Sequence, residues 1–189
     1  INEENVGFSK ANNKGLSVAK GEYIVFLNPD TLVTPGWFEN MKVTLEKNPD
    51  IGLISPLTNK VANYGALKFD SKIPKEKICS TGIKIGKILN ASHIEMKGLG
   101  FFCAMGRRKV FEEVGNLNED FITGGFEDDD YCYRIAKNGH KLALCLSSFV
   151  YHAQFKSFET IKFSERLKIS ETNQKIFEEK WGEYKTQLD

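Results

Sequence analysis

The chain has 189 residues, 41% of them hydrophobic and 27% charged, with 14 phenylalanines. That supports one sizeable core, is too short for two comfortable domains, and excludes an intrinsically disordered chain. A formal net charge of +1 gives no electrostatic reason to expect nucleic acid or an anionic membrane as the main partner.

In chain order, Ser9 to Ala19 predicts a short helix, with Ser9 as its cap and Gly21 as its stop. Glu22 to Leu27 predicts a buried strand, and Pro29 in Asn28-Pro29-Asp30 forbids its continuation. Thr34-Pro35 predicts an N-cap and a first-turn proline for a helix with Trp37, Phe38, Met41 and Leu45 on one face. Ile51 to Ser55 predicts a second buried strand, so the alternation points to an α/β layered sheet. Ligands gather beyond the carboxyl ends of such strands, where Asn28 and Asp30 fall. Residues 56–97 lack clear periodicity and predict a functional loop region holding one or two short strands, around Ile83 to Ile88. Gly98 to Met105 predicts a strand. Arg107 to Val114 predicts a helix closed by Gly115, with Arg107, Arg108 and Lys109 as its solvated start. After the acidic run a helix continues to Lys137 and ends at Asn138-Gly139 in a left-handed cap. Lys141 to Leu146 predicts the next strand. Ser164 to Trp181 predicts a charged amphipathic helix whose apolar residues are Leu167, Ile169, Ile176, Phe177 and Trp181.

The four cysteines, Cys79, Cys103, Cys132 and Cys145, form no CxxC pair, and a reduced compartment is expected. Apolar runs such as YIVFL are far too short to span a bilayer, and no secretion leader opens the chain. The start INEENVGF, without an initiator Met, is expected to be the interior of something longer.

Three features could carry chemistry. Asp30 either closes an Asx-type turn or reaches a divalent ion bound to phosphates. Glu127-Asp128-Asp129-Asp130 either caps a helix start or supplies a general base of raised pKa, with Gly124-Gly125 letting the backbone bend close to a ligand. His152 is either a hydrogen-bonded core histidine or a ligand for a metal or phosphate. There is no Walker-type loop, no GxSxG elbow and no HExxH, so hydrolase and kinase readings have no support.

The order of NVGFSKANNKGLSVAKGEYIVFLNPDTLVTPGW, then GFFCAMGRRKVFEEVGNLNEDFITGGFEDDDYCYRIAKNGHKLALC, then VYH strongly resembles family 2 glycosyltransferases over about three quarters of the chain. The resemblance implies a GT-A, Rossmann-like mixed sheet flanked by helices, in an inverting transferase that takes sugar from a nucleotide-diphosphosugar. It implies Asp30 as the last acid of the DxD motif, holding Mn2+ or Mg2+, with His152 as a metal or phosphate contact. It further implies Asn28 near the ribose or sugar, Asn12 and Asn13 along the nucleotide, Asp128 as catalytic base and Glu127 bonding acceptor or donor sugar. Asp129 and Asp130 are left to cap the helix.

Two departures stand out. Asn118 occupies a position where relatives usually carry Asp, and the family's first strand–helix–strand unit, with the Asp that reads the base, is missing. An N-terminally truncated single domain with impaired donor binding is therefore expected. Residues 1–55 would be the rest of the nucleotide- and metal-binding part, 56–163 the acceptor side and 164–189 a C-terminal helix. The donor expected is a UDP- or dTDP-sugar and the acceptor a glycan or glycolipid. The implied setting is cytoplasmic, at the inner face of a membrane with which the protein associates peripherally. The alternatives are a non-catalytic carbohydrate- or nucleotide-binding remnant and a nucleotidyltransferase, though the latter would need a Gly-rich basic loop near its start.

Overall fold

The computed structural model describes residues 5–60, 73–90, 92–121, 124–153 and 162–183. Six strands, β1 (Tyr23–Leu27), β2 (Thr31–Val33), β3 (Ile51–Leu57), β4 (His93–Met96), β5 (Cys103–Arg107) and β6 (Lys141–His152), form one sheet. Its order is β1-β5-β3-β6-β2, with β4 also on β6. The β3–β6 pair is parallel and the others are antiparallel. Among the described residues β1 pairs with β5 alone. The helices are α1 (Phe8–Val18), α2 (Trp37–Lys47), α3 (Ile78–Ile88), α4 (Arg108–Val114), α5 (Glu127–Lys137) and α6 (Phe163–Trp181).

Apolar runs without polar alternation require cover on both faces, because successive side chains point to opposite sides. Ile24, Phe26, Leu53, Ala104 and Leu142 face one way, onto Phe111 of α4 and Tyr131 and Ile135 of α5. Ile54, Met105, Ala143 and Cys145 face the other, onto Met41 and Leu45 of α2. A smaller cluster joins Leu57, Leu144 and Phe149 to Ile78 of α3. The mixed sheet between helical layers is as expected.

Several local expectations fail for identifiable reasons. Helix α1 starts at Phe8 behind Gly7, and Ser9 lies buried inside it rather than capping it. Thr34 does not cap α2: its hydroxyl donates to Phe149 O at 2.6 Å, and α2 begins after Gly36 at φ 81°. Residues 83–88 are helical, and the strand falls at His93–Met96 instead. The glycines that broke the helical pattern there allow close approach: a Cβ on Gly82 would lie 2.2 Å from Thr34 Oγ1, and one on Gly86 3.1 Å from Ser147 O. Residues 61–72 and 91 of that predicted loop region lie outside the described residues, as do 184–189 of the C-terminal segment.

The strand expected from Gly98 begins only at Cys103, and β6 runs six residues beyond Leu146. Arg107 is not the solvated start of a helix. Its guanidinium donates to Ile51 O at 3.0 Å and to Leu45 O, satisfying a carbonyl in the last turn of α2. All four cysteines are free, and all but Cys79 are buried. No helix among the described residues is long and apolar enough to cross a membrane.

Candidate active site

The first half of the site is made by a bulge in β6. Pro56 of β3 faces Cys145, yet the next residue, Leu57, faces Phe149. The three residues skipped are pinned by polar groups. Leu146 N–H donates to Ser92 O at 2.9 Å, Ser147 O accepts from Asn40 Nδ2 at 2.6 Å, and Ser148 Oγ donates to Trp37 O at 2.9 Å. A bulge bends its strand, and beyond it β6 pairs with β2, placing His152 opposite Thr31. His152 Nε2 thereby comes to 3.3 Å from Asp30 Oδ1, with both side chains largely covered.

The histidine is oriented from three sides. Its Nδ1 lies 3.1 Å from Lys60 O. A carbonyl only accepts, so Nδ1 is the donor in that contact, while Asp30, also an acceptor, calls for a proton or a cation at Nε2. Asn59 brackets the His152 backbone, accepting from its N–H at 2.7 Å and donating to its carbonyl at 3.1 Å. Phe102 stacks on the imidazole, with centroids 5.2 Å apart and planes at 19°.

Two acceptors this close need a proton or a cation between them. Neighbouring ligands of an octahedral Mg2+ or Mn2+ at about 2.1 Å lie about 3 Å apart, so the pair fits two positions of such an ion. The mixed nitrogen and oxygen set suits Mn2+ better than Mg2+. Among the described residues no group of three or more His, Cys, Asp or Glu is gathered, so an ion here would draw its remaining ligands from elsewhere.

The second half is the start of α5. Gly124, Gly125 and Phe126 have φ of 110°, 103° and 70°, three consecutive residues in left-handed territory. The turn delivers Glu127 into a buried position where its Oε2 finds no partner. Burial, and then the charge of Asp128, push the Glu127 carboxyl up to about 8, against the pull of the N–H groups of Glu127 and Gly125. Burial raises Asp128 as well, opposed by the N–H groups of Asp129, Asp128 itself and Phe101. The contact from Asp129 N to Asp128 Oδ1 measures 3.0 Å.

Asp130 does not cap the helix. It is fully buried and takes Arg134 Nε at 3.0 Å, Lys180 Nζ at 2.7 Å and Trp181 Nε1 at 2.8 Å, fastening α6 to α5.

Phe101 and Phe102 join the halves. The Phe101 N–H faces the Asp128 carboxylate, the Phe102 carbonyl accepts Asn28 N–H at 2.9 Å, and the Phe102 ring covers His152. Two adjacent residues thus touch Asp128, Asn28 and His152. Asn28 is half-buried, and its carbonyl accepts the Thr31 hydroxyl at 2.7 Å.

The α1 asparagines are less available. Asn12 Nδ2 donates back to Phe8 O at 2.9 Å. Asn13 is buried: its Nδ2 donates to Leu117 O and Glu119 Oε1, both at 2.9 Å, and its Oδ1 accepts from Leu117 N at 2.9 Å. Both amide protons of Asn13 are committed within the protein. Asn118 makes its own turn, accepting from Asp120 N at 3.1 Å. Sequence reasoning missed Asn59 and Phe102. Neither carries a motif, although the adjacent phenylalanines of GFFC were a visible signal.

A model described as "Glycosyl transferase family 2" matches residues 1–115. EpsH of Bacillus subtilis (strain 168), named as a candidate glycosyltransferase, is 26% identical over 206 residues, covering 100% of this chain and 56% of EpsH. The low-salt glycan biosynthesis hexosyltransferase Agl10 of Haloferax volcanii is 24% identical over 148 residues, covering 75% of this chain and 47% of Agl10. The chain thus spans about half the length of these relatives. The crystal structure of GalNAc-T7 with UDP, GalNAc and Mn2+ superposes with a TM-score of 0.59 at 19% identity, over 80% of this chain and 31% of that one. The shared fold is GT-A.

Proposed function

The chain belongs to glycosyl transferase family 2, and from that premise we propose that it moves a sugar from a nucleotide-diphosphosugar to an acceptor hydroxyl with inversion. The observation that supports the reading is the Phe101–Phe102 junction, where the Phe101 N–H meets the Asp128 carboxylate and the next ring, Phe102, stacks on His152.

In this reading Asp30 and His152 hold Mn2+ or Mg2+, which when bound neutralises charge developing on the leaving diphosphate. The UDP and Mn2+ in GalNAc-T7 are in keeping with such a donor. Asp128 takes the proton of the acceptor hydroxyl as that oxygen attacks the anomeric carbon. Its raised pKa brings it nearer working pH, where a base is most effective. Glu127, which holds its proton to about pH 8, bonds a hydroxyl of acceptor or donor sugar through Oε2. Asn28 and Asn12 line the donor side, and Asn13 serves it by holding α1 to the loop at Leu117.

In the same reading residues 1–55 serve the metal and nucleotide side and 56–163 the acceptor side, and α6 (Phe163–Trp181) closes over the acid pair. The donor proposed is a UDP- or dTDP-sugar and the acceptor a glycan or glycolipid, at the cytoplasmic face of a membrane.

The experiment is calorimetric titration with UDP and Mn2+, paired with a transfer assay, on this chain in its natural reading frame. Asp30→Ala should weaken Mn2+-dependent UDP binding. Asp128→Asn should leave binding near normal and lower kcat about 10²- to 10⁴-fold, the usual worth of a general base. Equal loss of binding and turnover in Asp128→Asn would remove it from the role of base.

A further inference from the structure

The acid pair is held from outside its own helix. α6 lies against α5 along one face, with Asn173, Phe177 and Trp181 at helical spacing. The buried ring of Phe177 sits 5.7 Å from that of Phe126 and 5.3 Å from that of Tyr133, and Trp181 sits 5.7 Å from Tyr133. Lys180 and Trp181 close the far end on Asp130.

Within this apolar seam Asn173 is fully buried, and its Nδ2 lies 3.3 Å from Gly124 O and 3.0 Å from Gly125 O. Those carbonyls belong to the run with φ of 110°, 103° and 70°. A residue with a side chain, here Phe126, adopts that region only when its surroundings hold it there. The opposite side of the turn is held by Glu127, whose carboxyl meets the N–H groups of Gly125 and Glu127. Asn173 therefore grips the carbonyl side of a turn whose amide side is gripped by the functional acid itself.

We propose that Asn173 is a positioning residue: by holding the carbonyls of Gly124 and Gly125 it fixes the turn that aims Glu127 and Asp128, and so couples the seating of α6 to the geometry of the acid pair. Its consequence for turnover rests on the proposed function, while its consequence for the carboxyls does not.

The test compares wild type, Asn173→Leu and Phe177→Leu. The first variant removes the donor while keeping the branched heavy-atom skeleton of the side chain. The second loosens the same seam without touching the two carbonyls. Carbon-13 carboxyl NMR follows the titration of Glu127, on which the charges of Asp128 and Asp129 act. In Asn173→Leu the midpoint should drop by about one pH unit or more as water reaches Oε2. In Phe177→Leu, which reaches the turn only through the Phe126 ring, it should move by clearly less. In a transfer assay Asn173→Leu should lose about 10- to 100-fold in kcat, the usual effect of a small misplacement, with donor KM nearly unchanged.

An unmoved Glu127 midpoint in Asn173→Leu, or an equal shift in Phe177→Leu, overturns the proposal. If wild type transfers no sugar, the functional reading fails, yet the titration still decides the positioning role. Should Asn173→Leu show no cooperative unfolding, Asn173→Ser, whose donor is too short for both carbonyls, takes its place in both measurements.

Discussion

Replacing Glu127 by Gln should abolish most of the alkaline loss of stability of this protein. Glu127 is 7% exposed with Oε2 buried and unpartnered, and burial first, then Asp128, carry its carboxyl from 4.5 to about 8. Between those values the native state keeps a proton that the unfolded state has released. Stability is therefore complete at and below about pH 4.5 and falls as pH rises toward 8. Each pH unit in the window is worth about 1.4 kcal/mol, so full expression would remove about 5 kcal/mol. That is comparable to the whole stability of a small domain, and local relaxation with water entry should bring the observed loss to about 2–3 kcal/mol. Burial shifts Asp128 in the same direction, and the two acids titrate as a pair, so the slope belongs to both.

The assay is urea unfolding from about pH 5 to about pH 9. The wild-type midpoint should decline across the range. Glu127→Gln should have a shallower profile, keeping only the slope that buried Asp128 contributes, and should exceed wild type at pH 8. Asp50 and Glu113, held low by Lys141 and His140, work the opposite way below about pH 4.5 and do so in both proteins. Parallel profiles in the two proteins, or a wild type that gains stability up to pH 8, would refute the reasoning.

Four further outcomes can be checked with simple measurements. Gly82→Ala should cost about 1–3 kcal/mol in urea unfolding because its Cβ would meet Thr34 Oγ1 at 2.2 Å. Gly15→Ala in α1 meets nothing within 4 Å and should stabilise by about 0.5–1 kcal/mol. Phe111→Ala should lose about 3–5 kcal/mol, since its ring sits 5.4 Å from Phe26 and 6.0 Å from Tyr131 in the main core. Maleimide should label Cys79 rapidly in the native protein and Cys103, Cys132 and Cys145 only on unfolding, read as mass additions. Those three are buried, and burial also pushes the thiols of Cys103 and Cys132 away from the reactive thiolate.

The strands at 23–27 and 51–57 were legible because cover on both faces leaves an unbroken apolar run. α3 was not, because Gly82 and Gly86 serve contacts with Thr34 and Ser147 and so imitate loop composition. The extension of β6 was hidden behind Ser147 and Ser148, polar residues that are buried because a bulge gives them partners. Asp30 and His152 were each visible as candidates, but their meeting depends on that bulge and has no trace in local spacing. In the acidic run, sequence could show that four acids exceed what a helix start needs. It could not assign Asp130, whose partners Lys180 and Trp181 lie 50 and 51 residues away.

The unpaired edge of β1 has a consequence for handling the molecule. Its outward backbone amides and carbonyls have no ladder partner among the described residues, and Leu27 stands 43% exposed at its end. An open edge of this kind is a template for adding another strand, and these 189 residues taken alone in concentrated solution should self-associate there. Light scattering that climbs with concentration, and falls when Leu27→Lys blunts the edge, would be its signature. Because β1 ends at Leu27, next to Asn28, a strand added alongside would run to the rim of the site, making colloidal behaviour and ligand access properties of the same few residues.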